Sequence, residues 1–207
     1  DKSRSRGLGD VYKRQSSTDS KFFSNGLDLE WMQAPEDHPD GGDREVFGEE
    51  FMYLMGRFIT LPIPTVCALN GHTFGAGFMF ALSHDFRIMR EDKGFICANE
   101  MQLGLPIPRP ELALFKHKIP ANAFFETVQL SKRWTGADAL KAGIVQRVSS
   151  FEELSEAALR KAKELAPLAN NRKNFGHQKE MLYGENAAIN LAHGPAHMLK
   201  NSKNFEI

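Results

Sequence analysis

The segment from Pro64 to Ser83 constrains the fold more than any other stretch of the 207 residues. Thr65 to Leu69 is a short apolar run behind Pro62 and Pro64, which reads as a buried strand. Asn70-Gly71-His72-Thr73-Phe74-Gly75-Ala76-Gly77 follows as a glycine turn, and Phe78 to Ser83 is a compact apolar run suited to a buried helix. Backbone N–H groups at the start of such a helix are unpaired and point toward whatever anion or polarised oxygen sits there. A phosphate-binding loop would end in Gly-Lys-Ser/Thr, whereas Gly77 is followed by Phe78, Met79 and Phe80. Gly71, Gly75 and Gly77 also fail the G-x-G-x-x-G dinucleotide spacing. Two readings stay open on this segment alone: glycines that let a helix pack tightly on a strand, or a backbone donor site.

The rest of the chain alternates in the same way. Phe22 and Phe23 ahead of Ser24-Asn25-Gly26-Leu27-Asp28-Leu29 read as a strand end running into a loop, and Pro35 to Asp43 reads as a surface loop. Phe47, Phe51, Leu54, Met55 and Phe58 recur at three- and four-residue spacing, which predicts an amphipathic helix over 44–60. Phe86 to Arg90 and Gly94 to Ala98 read as strands, and helices are expected over 110–117 and 121–131 after the extended Pro106, Pro108 and Pro110. Ala137 to Lys141 reads as a helical turn and Ile144 to Val148 as a further strand. Ser150 with Glu153 is a capping box that opens a helix to about Leu165, and beyond Pro167 the chain reads as helical. Alternating strands and helices argue for the α/β class. A core over 21–150 and a C-terminal helical region over 151–207 are expected. Residues 1–20 are set outside the fold. Their first part, Asp1 to Gln15, carries Lys2, Arg4, Arg6, Lys13 and Arg14 with no apolar periodicity, and is expected to be disordered or loosely attached, as a presequence remnant or an assembly scar.

Charge and composition exclude several classes of function. Twenty-six basic residues balance twenty-six acidic ones, so no net positive field exists to hold a nucleic acid. The longest apolar stretches, such as Phe74 to Leu82, fall far short of the roughly 20 residues of a membrane span. Cys67 and Cys97 stand in apolar segments with no Cys/His cluster around them, and are expected to be small buried thiols. His193 and His197 have a metal-compatible spacing, but Gly194-Pro195 lies between them, so no metal site is expected. His72 is expected to meet ligand or solvent, His84 and Asp85 to form a local hydrogen bond, and Trp31, Met32 and Trp134 to supply core or cleft-lining bulk. Lys161, Lys163, Arg172, Lys173 and Lys179 read as a solvated face.

Three ordered segments carry more. Phe23-Ser24-Asn25-Gly26-Leu27-Asp28-Leu29, then Pro64-Thr65-Val66-Cys67-Ala68-Leu69-Asn70-Gly71 running into Gly75-Ala76-Gly77, then Asn99-Glu100-Met101-Gln102-Leu103-Gly104-Leu105, resemble the crotonase (enoyl-CoA hydratase/isomerase) superfamily in motif and order. Trp134-Thr135-Gly136-Ala137-Asp138-Ala139-Leu140-Lys141-Ala142-Gly143-Ile144-Val145 is similar to the segment that follows the active-site helices there. The resemblance implies a spiral of ββα turns with a C-terminal helical trimerisation region, the N-terminal turn of the spiral being absent ahead of the Phe23 segment. It further implies an acyl-CoA thioester as ligand, with coenzyme A as part of the substrate and no separate cofactor. The thioester oxygen would rest on the backbone N–H groups of Leu27 and Ala76. Two fixed donors at about 3 Å stabilise a developing enolate by a few kcal/mol each, so the side chains at those two positions matter little. Ser24, Asp28, Leu29 and Gly75 would line the ligand by the same resemblance.

The acid–base position separates the branches of the superfamily. Hydratases there use two glutamates; the first corresponds to Met79, which moves no proton, and the second to Glu100. A lone carboxylate serves a proton shift between two carbons better than the addition of water. The Asn99 to Gly104 run is also similar to the Δ3,Δ2-enoyl-CoA isomerases. The implied activity is therefore movement of a 3-double bond to trans-2, as in fatty acid β-oxidation, with Glu100 carrying the C2 proton to C4. Phe74, Phe78, Met79 and Met101 would form an apolar wall that raises the basicity of Glu100. Glu111 is a second carboxylate near the same cleft, in the neighbourhood where some isomerases of the superfamily place their base, but a first-turn helix charge complementing the dipole is the preferred reading. The implied assembly is a homo- or hetero-trimer or hexamer. The rival reading is a catalytically weak or inactive structural subunit of a larger mitochondrial assembly, and Asn25 and the bulky Phe74 and Phe78 depart from the usual pattern. The expected compartment is the mitochondrial matrix, with the peroxisome as alternative, because Lys203 to Ile207 is not a Ser-Lys-Leu signal.

Overall fold

The computed structural model describes residues 11–34, 42–185 and 193–205. Among the described residues, seven short strands form two parallel sheets. The first has the order β1-β3-β5-β7, from Lys13–Gln15, Thr65–Leu69, Phe86–Arg90 and Arg147–Ser149. The second has the order β2-β4-β6, from Phe22–Ser24, His72–Phe74 and Ile96–Cys97. Each consecutive pair of strands places one member in each sheet before a helix returns the chain, which is a ββα spiral. The helices are α1 (Leu29–Gln33), α2 (Arg44–Ile59), α3 (Ala76–Leu82), α4 (Arg109–Lys118), α5 (Ala121–Val128), α6 (Gly136–Lys141), α7 (Phe151–Leu165), α8 (Arg172–Tyr183) and α9 (Pro195–Lys200), with a 3-10 turn at Glu100–Leu103.

Strand β3 is buried on both faces, as a parallel strand between helical layers has to be. Its side chains alternate between two cores. Val66 and Ala68 join Ile88 of β5 and Leu154, Ala157, Ala158 and Ala162 of α7. Cys67 and Leu69 face the larger cluster with Met55 and Ile59 of α2, Phe78 and Leu82 of α3 and Leu114 and Phe115 of α4. Both cysteines are buried free thiols, and burial pushes the Cys97 thiol up to about 11. Asp28, Asp43 and Ser150 cap α1, α2 and α7 through their side-chain oxygens, the last by accepting from Glu153 N at 3.3 Å. In the 151–207 region, α7 packs on the first sheet and α9 on α2 and α4. No helix among the described residues is long and apolar enough to cross a membrane.

Several details differ from the sequence expectations. Residues 1–10 lie outside the described residues, but Lys13–Gln15 does not stay loose. It pairs in parallel with Thr65 to Cys67, covering backbone groups that β3 would otherwise leave open at its edge. Arg14 Nη1 ties this strand to Ser155 Oγ of α7 at 2.7 Å. The glycine turn contains a strand of its own, β4, between β2 and β6. The strand expected over 144–148 lies at Arg147–Ser149, because Ile144 and Val145 point into the core instead. His84 and Asp85 do not bond each other. His84 Nδ1 lies 2.9 Å from Phe80 O, and Asp85 accepts from Thr65 N at 2.8 Å. Lys179 is buried rather than solvated, since Asp85 Oδ2 stands 2.8 Å from its Nζ and compensates its charge. Most of the Pro35 to Asp43 loop lies outside the described residues, as do residues 186–192 of the late helical stretch and the final two residues.

Candidate active site

Three turns from distant parts of the sequence meet at the start of α3. Gly26, after β2, has φ +94°, and a Cβ built there would sit 3.2 Å from Phe74 O and 3.5 Å from Ala76 N. The Gly26-Leu27 turn therefore lies directly against the Gly75-Ala76 turn, which brings together the two peptides expected to donate. Gly75 occupies φ +51°, ψ −125° ahead of α3, a conformation that side chains with a Cβ rarely adopt. Its N–H bonds Cys97 O at 3.0 Å, which fastens the turn to the end of β6. No side chain caps the N-terminus of α3.

Glu100 completes the group. It opens the 3-10 turn just beyond β6, and a Cβ on Gly75 would sit 3.3 Å from its Oε1 and 3.4 Å from Asn99 Oδ1. The residue is 9% exposed, and Oε2 is buried without a hydrogen-bond partner. Burial raises its carboxyl above the ordinary range, partly offset by a hydrogen bond from its own backbone N–H. A desolvated carboxylate with a free oxygen is a stronger base than a solvated one, and it stands beside a backbone site suited to a polarised oxygen.

An arrangement of this kind can take a proton from a carbon next to a carbonyl. The family described as Enoyl-CoA hydratase/isomerase matches residues 16–199. The chain belongs to the enoyl-CoA hydratase/isomerase family. Enoyl-CoA delta isomerase 3 of Arabidopsis thaliana is 35% identical over 168 residues, 80% of this chain and 70% of that protein. The peroxisomal enoyl-CoA delta isomerase 2 of the same plant is 34% identical, covering 84% and 74%. Among solved structures, human mitochondrial delta3-delta2-enoyl-CoA isomerase superposes with a TM-score of 0.74 at 26% identity, over 92% of this chain and 69% of that one.

Within this crotonase fold the other expected residues take several places. Ser24 is half-buried and its Oγ accepts from Gly26 N at 3.3 Å, so it shapes the Leu27 turn. The exposed Asp28 caps α1 by accepting from Trp31 N at 3.1 Å, and Leu29 begins that helix. Phe78 is fully buried, its ring edge-on to Phe115 with centroids 5.4 Å apart. Met79 is buried behind it. Met101, Leu103 and Leu105, in and just after the turn that Glu100 opens, are large apolar side chains left exposed, Met101 at 38%. His72 lies in β4 among the rings of Phe22, Phe74 and Phe95. His193 precedes α9, its ring stacked on His197 at 4.7 Å. Among the described residues no group of three or more His, Cys, Asp or Glu side chains is placed to hold a metal ion.

Glu111 is the residue that sequence reasoning misjudged. Rather than a solvated first-turn charge on α4, it is 7% exposed, because the first turn of α4 faces the protein and not solvent. Burial and the Glu100 charge push its carboxyl up to about 8. Its spacing held the signal: Glu111 precedes Leu114 and Phe115 by three and four residues, which puts it on the apolar stripe of the helix.

Proposed function

We propose that the protein moves the double bond of a 3-enoyl-CoA thioester to the conjugated 2-position, with Glu100 as the base at C2. The observation that carries this reading is the buried Glu100 carboxylate with one unpartnered oxygen, set against the Gly75 turn that touches the Gly26 turn. The thioester carbonyl rests on the N–H groups of Leu27 and Ala76. Glu100 withdraws a C2 proton, the electron pair moves into the carbonyl to give an enolate held by both donors, and C4 is protonated as the double bond shifts. The acyl chain leaves over Met101, Leu103 and Leu105. Coenzyme A enters as part of the substrate, and no further cofactor takes part in the step.

Relatives named as enoyl-CoA delta isomerases at 33–35% identity support this branch over a hydratase. So does Met79, an apolar side chain where a second glutamate would otherwise help hold water. A purely structural subunit has no use for a buried unpartnered carboxylate, which costs stability. The protein works as a trimer or paired trimers. Its named relatives belong to peroxisomes in a plant and to mitochondria in human, and the site chemistry is the same in either compartment.

The test is a product analysis of the purified full chain supplied with a 3-enoyl-CoA. Rise of the conjugated 2-enoyl thioester without 3-hydroxyacyl-CoA is the expected result. Hydroxyacyl product as the main species would overturn the reading in favour of hydration.

A further inference from the structure

Among the described residues, Ser131 is the one non-glycine whose backbone enters the left-handed region, at φ +48°. A residue with a Cβ is strained there, and such strain persists only where the surroundings hold it. Ser131 is 3% exposed and lies between α5 and the Thr135 cap of α6. Its hydroxyl oxygen is buried with no hydrogen-bond partner, so the side chain does not hold the turn. What the turn does is aim a carbonyl. Ser131 O accepts from Cys97 Sγ at 3.2 Å and from Gln102 Nε2 at 3.4 Å.

Those two donors belong to the two halves of the site. Cys97 ends β6, and its own carbonyl accepts from Gly75 N at 3.0 Å, at the turn from which Ala76 begins α3. Gln102 lies in the 3-10 turn that Glu100 opens, where its N–H bonds Asn99 O at 3.0 Å. The segment around Ser131 is itself anchored. Trp134 N and O exchange hydrogen bonds with Ile96 O and N, both at 2.9 Å, and Trp134 Nε1 donates to Thr127 Oγ1 at 3.1 Å. Since β6 is the last strand of its sheet, residues 131–134 run as a strap along its outer edge.

We propose that Cys97 and Gln102 are positioning residues of this site: by donating together to the Ser131 carbonyl they fix Glu100 relative to the Gly75-Ala76 turn. This rests on the isomerase reading and adds to it what sets the distance between the base and a backbone donor. Proton transfer falls off steeply when the reacting groups are misplaced by even a fraction of an ångström, so a tie behind the site acts on rate more than on binding. Burial pushes the Cys97 thiol up to about 11, so it keeps its hydrogen at neutral pH and remains a donor. A thiol is a weak donor, and the strained carbonyl between two partners is what makes the pair act as a unit.

Cys97→Ala and Gln102→Met each remove one donor, and Cys97→Ser keeps an O–H where the S–H was. Turnover of a 3-enoyl-CoA by the full chain is compared for wild type, these variants and the Cys97→Ala, Gln102→Met double variant. The double variant is expected to lose on the order of 10-fold in kcat with KM little changed, and Cys97→Ser to keep most of the wild-type rate. Wild-type kcat in the double variant overturns the proposal while leaving the isomerase reading intact. A loss that Cys97→Ser shares with Cys97→Ala also overturns it, because packing and not donation would then be at work. Amide hydrogen exchange of the free protein reads the tie apart from turnover. Faster exchange at the Gly75 N–H of the double variant, with β3 and β5 protected as in wild type, is expected. Unchanged protection at Gly75, or a loss spread equally over β3 and β5, overturns the assignment.

Discussion

Glu100 and Glu111 have the same side chain, and their surroundings separate their chemistry. Burial raises both carboxyls; a backbone N–H partly offsets it at Glu100, and the Glu100 charge adds to it at Glu111. Glu100 was legible in the sequence through the motif around it, since a glutamate alone is most often exposed. The burial of Glu111 was legible only in its spacing ahead of Leu114 and Phe115, which sets it on the buried stripe of α4. Asp85 was misread because its partners are twenty and ninety-four positions away, at Thr65 and Lys179. Asp85→Asn keeps the shape of the side chain and leaves Lys179 buried without its acid. The expected cost is on the order of 3 kcal/mol, read as a lower denaturation midpoint at unchanged slope. An unchanged midpoint would mean that the pair contributes nothing net.

At the scale of elements, local pattern sufficed where one element contains its own signal. Thr65–Leu69 and Phe86–Arg90 fall where the apolar runs place them, and α7 begins at its Ser150 cap. It did not suffice for β4, three residues between two glycines whose strand character comes from pairing with β2 and β6. The same holds for β1, which is a strand because β3 offers an edge. Helix α4 packs on α3, and the edge-on contact of Phe78 with Phe115 is part of that packing. Phe115→Ala removes a fully buried ring and is expected to cost about 3–5 kcal/mol in unfolding free energy. It is also expected to depress kcat more than KM, by loosening the support of α3, the helix that Ala76 begins. A loss of stability with kcat intact would separate that contact from the site.

For the whole molecule, the spiral brings residues 26, 75 and 100 to one point although each belongs to a different ββ turn. Order along the chain was therefore enough to anticipate that these three turns meet, once the motifs were read together. Phe125, at 62% exposure, and Leu130 and Leu168 are large apolar side chains left open on the single chain. If the chain assembles as proposed, sedimentation equilibrium is expected to give a particle of about 70 kDa, three chains, or twice that for paired trimers. A concentration-independent monomer would contradict the assembly.

The central claim is that Glu100 is the base, and the most direct measurement is the rate of conjugated 2-enoyl-CoA formation by wild type and by Glu100→Gln. The substitution preserves volume while removing the proton acceptor, so a loss of about 100- to 10,000-fold in kcat is expected, with 3-enoyl-CoA binding retained. A Glu100→Gln protein that still turns over within a factor of two of wild type would contradict the account.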